Sequence, residues 1–330
     1  MFLKTISVGF LLTLVVVVVG AYVRLTDAGL GCPDWPGCYG KSTPKHAAQE
    51  IARAVAEQGG VGRVSVQKAW NEMIHRYLAG ALGLVILGIT GMAWAMRKRL
   101  QQSPVLPTAL LVLVMFQAVL GMWTVTLLLK PVIVTLHLMG GMATLALMTW
   151  LAMRQLPRVP APPAMHHLRP WAAVGLILLA IQITLGGWVS TNYAALACID
   201  LPTCHGAWAP KMDFKHGFQL LRELGQTAAG DKLSYDALTA IHWTHRVGAL
   251  VVASYLLLLA WLTARAGLRL YAILLAGLVA AQFTLGVANI LTALKLAVAV
   301  AHNAGAALLL VALVVLNSAL SEDRGSRIEN

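Results

Sequence analysis

Five histidines fall in otherwise apolar stretches of this 330-residue chain: His75, His137, His242, His245 and His302. Four of them recur in matched surroundings. His75 is followed by Arg76 as His245 is by Arg246, and "TLHLMGG" (135–141) answers "VAHNAGA" (300–306), pairing His137 with His302. A lone histidine in an apolar helix needs no role beyond a hydrogen bond to a neighbouring helix. Two at one level can do more. At 1.5 Å per residue each of the four lies roughly 6–8 Å along its apolar span. Two neutral imidazoles facing each other at that depth can clamp a flat iron macrocycle from both sides, as bundle cores do with haem. Two pairs then imply two haem sites, with His75, His137, His245 and His302 as iron ligands. Structural zinc wants four ligands and copper recruits methionine or cysteine at close spacing, so both fit these pairs less well. His46, His205 and His216 in loops, and His166 and His167 in a Pro-rich linker, read as solvated.

The cysteines carry a second kind of chemistry. "CPDWPGC" (32–38) and "CIDLPTC" (198–204) each hold Cys-x5-Cys, with Asp two residues after the first Cys and Pro two before the second. Pairing within each hairpin, Cys32–Cys38 and Cys198–Cys204, is the simplest of three arrangements. Such a bond is either a staple that rigidifies a loop or a dithiol that cycles with electrons. Arg76 and Arg246 can pair with haem propionates or extend toward headgroups. Glu72, one turn before His75, has His242 as its counterpart before His245, and Arg24 corresponds to Ser190. A carboxylate beside a macrocycle can exchange protons during oxidation. Alternatively, Glu72 is an acid at a helix N-terminus, where the macrodipole favours it.

These residues need a membrane-embedded scaffold. The composition is 58% hydrophobic and only 12% charged, which rules out an ordinary soluble domain. Eight spans of about 20 apolar residues are expected, near 5–25, 71–96, 106–128, 133–154, 170–191, 239–264, 270–292 and 296–320. The first is too long for a signal core and lacks a cleavage site, so it reads as retained. Lys4, Arg97, Lys98, Arg99, Arg154, Arg158, Arg169, Arg265 and Arg269 flank one side, whereas Lys130 and Lys295 stand in the short loops of the other. Positive-inside logic puts both termini in the cytoplasm and both hairpins outside, in an oxidising compartment. The net charge of +12 is dispersed over separate loops; it reports topology and attraction to the lipid bilayer, not nucleic acid.

The chain is also a duplication. "GAYVRLTDAGLGC" (20–32) aligns with "GGWVSTNYAALAC" (186–198), and 116–141 aligns without a gap on 281–306, so that Gln117 meets Gln282. The unit is four helices. Both units therefore start on the same side, giving parallel repeats related by a pseudo-two-fold axis along the membrane normal. The expected fold class is an all-α integral membrane protein with an N-terminal four-helix repeat (1–155), a cytoplasmic linker (156–169) and a C-terminal repeat (170–330). "HAAQEIARAVAEQ" (46–58) and "DFKHGFQLLRELG" (213–225) read as amphipathic loop helices, lying in the interface or packed on the bundle top.

"GAYVRLTDAGLGCPDWPGC", "NEMIHRYLAGALG", "GGWVSTNYAALACIDLPTC", "IHWTHRVGA" and "AHNAGAALLLV" resemble the heme A synthase family over nearly the whole chain. The resemblance implies an inner-membrane oxidoreductase that converts a methyl group of haem O into the formyl group of haem A, for cytochrome oxidase. Successive hydroxylations give a hydrated aldehyde that loses water. It implies that His75 and His137 flank the substrate porphyrin, that Glu72 is the acid needed for turnover, and that His245 and His302 hold haem b in the C-terminal half. It strengthens the redox reading of Cys32 and Cys38, leaves Cys198 and Cys204 structural, and assigns no axial role to His242. The implied partners are an electron acceptor outside the chain and the farnesyltransferase that supplies haem O. Two other readings compete: a di-haem cytochrome b-like electron carrier and a transporter. Unequal halves at Glu72 and His242 disfavour the first, and histidines gathered near one face disfavour the second.

Overall fold

A computed structural model describes residues 1–58, 64–100, 102–156 and 163–321. In chain order the helices are α1 (Phe2–Leu25), α2 (Ala48–Glu57), α3 (Val66–Ala95), α4 (Arg97–Leu100), α5 (Val105–Thr126), α6 (Pro131–Met153), α7 (Arg169–Thr191), α8 (Phe214–Gly217), α9 (Tyr235–Arg265), α10 (Arg269–Leu291) and α11 (Leu296–Ala319). A 3₁₀ turn at Pro163–Leu168 leads into α7. Residues 157–162 of the expected linker, Arg158 among them, lie outside the described residues. Among the described residues, eight helices (α1, α3, α5, α6, α7, α9, α10 and α11) are long and apolar enough to cross a bilayer, and they coincide with the expected spans. This is an all-helical, multi-span membrane protein.

The two largest departures from expectation are at the starts of α3 and α9. Ser65 Oγ accepts the Lys68 N–H and Ser234 Oγ accepts the Ala237 N–H, so each helix is capped four or five residues earlier than hydropathy suggests. At 30 and 31 residues they run to about 45 Å, beyond the roughly 30 Å of hydrocarbon. The excess forms polar first turns. Hydropathy misses these turns because it registers only what lipid covers.

α1 packs on α3, α6 and α11, and α7 packs on α9, α11 and α6; α5 lies against α6 and α3, and α10 against α11 and α9. Exchanging the two sets of four turns each of these pairs into another. Side chains such as Leu84, Val112, Ile177 and Ile273 point outward and are exposed, while Ile86, Leu145, Leu256 and Leu313 are buried. In water that apolar exterior would drive aggregation, whereas in lipid it is the matching surface. Cohesion therefore comes from close packing, as where Gly187 meets Leu138 with no room for a Cβ (2.8 Å).

The links into α6 and α11 are equally matched. Leu128 and Leu129, then Ala293 and Leu294, take positive φ, and Leu129 N–H and Leu294 N–H close onto the Thr124 and Asn289 carbonyls at 2.8 Å. Non-glycine residues adopt this conformation only at a cost of about 1 kcal/mol or more each, so surrounding structure must impose it. The same costly turn thus sets the start of both helices that carry His137 and His302.

The loop helices fare differently. α2 forms, and its fully buried Ile51 packs with Ala47, Ala69, Met73 and the Cys32–Cys38 disulfide, on the bundle top. The stretch 213–225 is helical only over Phe214–Gly217, against the expectation of a helix throughout. Gly217 lies so close to the Ala237 carbonyl that a Cβ would sit at 2.8 Å, and its own carbonyl accepts Trp188 Nε1–H. Beyond it, Arg222 turns inward to Asn192, which the helical path would not permit.

Candidate functional site

Each Cys hairpin is closed by a two-residue turn with both central residues at positive φ: Tyr39 and Gly40, then His205 and Gly206. These are the conformations of a type I′ turn, and Gly supplies the second at no steric cost. Cys38 and Lys41 exchange both backbone hydrogen bonds, as do Cys204 and Ala207. The disulfides are Cys32–Cys38 and Cys198–Cys204, the expected pairing, and all four cysteines are buried. The Asp two residues after the first Cys explains itself here. Asp34 accepts the Tyr39 and Gly40 N–H groups, and Asp200 accepts those of His205 and Gly206. The Gly206 N–H leads the bonds that hold the Asp200 carboxyl well below the usual carboxylate range.

The first turns of α3 and α9 grip these hairpins. Arg76 donates to the Asp34, Pro36 and Gly37 carbonyls and pairs with Glu72; Glu72 Oε2 accepts the Cys32 N–H at 2.9 Å. In the second half Arg246 donates to the Cys198, Asp200 and Thr203 carbonyls, and His242 Nδ1 accepts the Cys198 N–H at 3.1 Å. Both arginines thus have a task that sequence did not suggest, namely tying a hairpin to a helix. Glu72 is the seventh residue of α3 and no acid lies in that helix's first turn. The macrodipole fades within the first turn, so it does not account for Glu72.

The structure brings His75 and His137 together: their ring centres lie 6.5 Å apart with planes at 89°. Two metal–imidazole bonds of about 2.0–2.1 Å, each with about 1.1 Å from nitrogen to ring centre, add up to roughly 6.3 Å. The spacing therefore suits one iron between the rings. Glycine supplies the room beside all four imidazoles. A Cβ on Gly20 would meet His75 at 2.9 Å, on Gly121 His137 at 3.4 Å, on Gly186 His245 at 3.0 Å and on Gly286 His302 at 3.2 Å. Nδ1 of His75, His137 and His302 is buried without a partner. Among the described residues no group of three or more His, Cys, Asp or Glu could hold a bare metal ion. Paired imidazoles in glycine cradles, short of ligands for a free ion, fit a haem.

The family described as cytochrome oxidase assembly protein matches residues 4–314 of this chain. A heme A synthase of Shewanella oneidensis is 43% identical over 309 residues, covering 92% of each chain. The chain belongs to the heme A synthase family. More distant members of that family align over similar lengths. Those of Halalkalibacterium halodurans and Rhizorhabdus wittichii are 26% identical over 317 residues (94% of each chain) and 28% identical over 338 residues (96% of this chain, 92% of the relative).

In this heme A synthase relative the two halves also meet through repeat-matched residues. Arg24 Nη2 donates to the Ser190 carbonyl at 2.6 Å, and the Tyr193 hydroxyl donates to Asp27 at 2.6 Å. Each pair is one repeat apart, 166 residues. The Arg24 guanidinium lies 4.2 Å over the Tyr193 ring. Lys130, between α5 and α6, reaches Glu223 of the second outer loop at 2.8 Å. Two amides beside the rings, Gln182 at His245 and Gln282 at His302, carry no signal of their own in the sequence.

Proposed function

We propose that this chain is a heme A synthase whose N-terminal half binds haem O between His75 and His137 and whose C-terminal half holds haem b between His245 and His302. The reading extends to location: an inner membrane, with both termini cytoplasmic and both hairpins on the periplasmic side. The observation that carries it is the pair of imidazoles at haem spacing, each with its Nδ1 buried, set beside Glu72 in one half and its replacement, His242, in the other. Two equal electron-carrying sites would have no use for that difference.

His75 and His137 orient the substrate macrocycle, and the glycine-lined helix faces admit it. Two successive oxidations at one methyl carbon, each removing two electrons and two protons and adding oxygen from water, give a geminal diol, and loss of water leaves the formyl group. Glu72, held by the Cys32 N–H and by Arg76, takes up protons released as that carbon is oxidised. Arg76 and Arg246 hold the hairpins over the two sites, where their remaining N–H groups can meet propionates. When bound, haem b supplies a one-electron relay. Electrons leave to an acceptor outside the chain, and haem O arrives from the farnesyltransferase that makes it.

Four single replacements test the division of labour. His245→Ala and His302→Ala should each lose the low-spin haem b spectrum. His75→Ala and His137→Ala should keep it and lose haem A formation. A single haem signal abolished by all four would contradict the two-site reading.

A further inference from the structure

Besides Glu72 and His242, the surroundings of His75 and His245 differ across the duplication in a linked pair of positions. Gln182, on α7, sets its Nε2 3.0 Å from His245 Nδ1 and 3.0 Å from the His245 carbonyl. Its Oε1 is buried without a partner and lies against Gly248, three residues after His245, where any Cβ would collide. The matched first-half positions are Val16, four residues before Gly20 as Gln182 is before Gly186, and Leu78, three residues after His75. Val16 packs into the apolar cluster around Leu82 and Ile86, and His75 Nδ1 has no partner. At His245 the amide and the glycine that makes room for it are present together and at His75 they are absent together, whereas both halves keep such a pair at the second histidine, Gln117 with Gly140 and Gln282 with Gly305.

An imidazole that ligates iron through one nitrogen is oriented by the bond its other nitrogen makes. We propose that Gln182, in the space left by Gly248, is a positioning residue that fixes His245 as the ligand of a resident haem b. Val16 and Leu78 deny His75 such an anchor, which leaves the first-half macrocycle free to exchange as substrate and product. The inference rests on the assignment of haem b to the C-terminal half. Turning the terminal amide end for end presents Oε1 to an Nδ1–H in exchange for the Nε2–H bond to the His245 carbonyl, so the amide moves off that carbonyl as haem b binds. Accepting that proton raises the basicity of the ligand, which favours ferric iron and lowers the midpoint potential.

The test compares the full-length chain with Gln182→Leu, Gln182→Glu and the paired swap Val16→Gln with Leu78→Gly. Haem b retention is read against excess apomyoglobin as acceptor, and the haem b midpoint potential is read by redox titration. Gln182→Leu should bind haem b about 10–100-fold more weakly and raise the midpoint. Gln182→Glu should retain haem b and lower the midpoint. Opposite shifts from two side chains of similar size do not arise from packing alone. In the paired swap, the first-half haem should become harder to extract. Unchanged retention and potential in both Gln182 variants would overturn the proposal. The assignment beneath it fails separately: haem b retained by His245→Ala would show that the C-terminal half is not its site, whatever Gln182 does.

Discussion

Glu72 shows how a residue's chemistry changes once its neighbours are known. In sequence it competes with its description as a helix-end acid; in the structure it is buried, paired with Arg76 and bonded to the Cys32 N–H. Glu72→Gln is a discriminating change, because an amide oxygen can still accept the Cys32 N–H while the ion pair and the proton site are lost. The fold and haem b should survive. Haem A formation should fall by about 10²–10⁴-fold, the usual worth of general acid–base assistance, with haem O or a hydroxylated intermediate accumulating. Haem A made at the normal rate would leave Glu72 as a hairpin clamp and nothing more. The closeness of His75 and His137 was legible because each recurs in matched company in the second half. Gln182 was not, because its significance lies in a partner, Gly248, 66 residues away in sequence and adjacent only in the fold.

At the level of elements, apolar runs located all eight spans, since a bilayer leaves little alternative to a helix. The early starts of α3 and α9 were hidden because their first turns are polar and are set by Ser65 and Ser234. The failed helix at 213–225 has a long-range cause, the inward turn of Arg222 toward Asn192 and the ring of Trp188. The hairpins were legible as disulfides but not as clamped turns, since the roles of Asp34 and Asp200 depend on the I′ geometry. With Asp200 and Arg246 holding it as well, the second hairpin should survive loss of its disulfide. Replacing Cys198 and Cys204 by Ser should lower stability by about 2 kcal/mol, the loop-closure value for so short a loop. Thermal melting of the purified protein should show that loss, with haem A formation preserved. Abolished turnover at unchanged melting would instead assign that pair a redox task.

The whole molecule reads as two four-helix units that exchange equivalent contacts, Arg24 with Ser190 and Asp27 with Tyr193 among them. We propose that the two units run parallel, with both hairpins on one side and the basic residues at the opposite ends of the helices marking that opposite side as cytoplasmic. Reporters fused after residue 100 should therefore mark the cytoplasm, and those at 45 or 215 the outside. A cytoplasmic signal at 45 would contradict the orientation and leave the disulfides in a reducing compartment. The central claim is that the two halves hold different haems, one as substrate and one as relay. Extraction and identification of the pigments of the purified chain measure it directly. The account predicts haem B together with haem O or haem A in the wild-type protein, with haem B alone lost on replacing His245. Haem B as the sole pigment, at two per chain, would contradict it and make this protein an electron carrier.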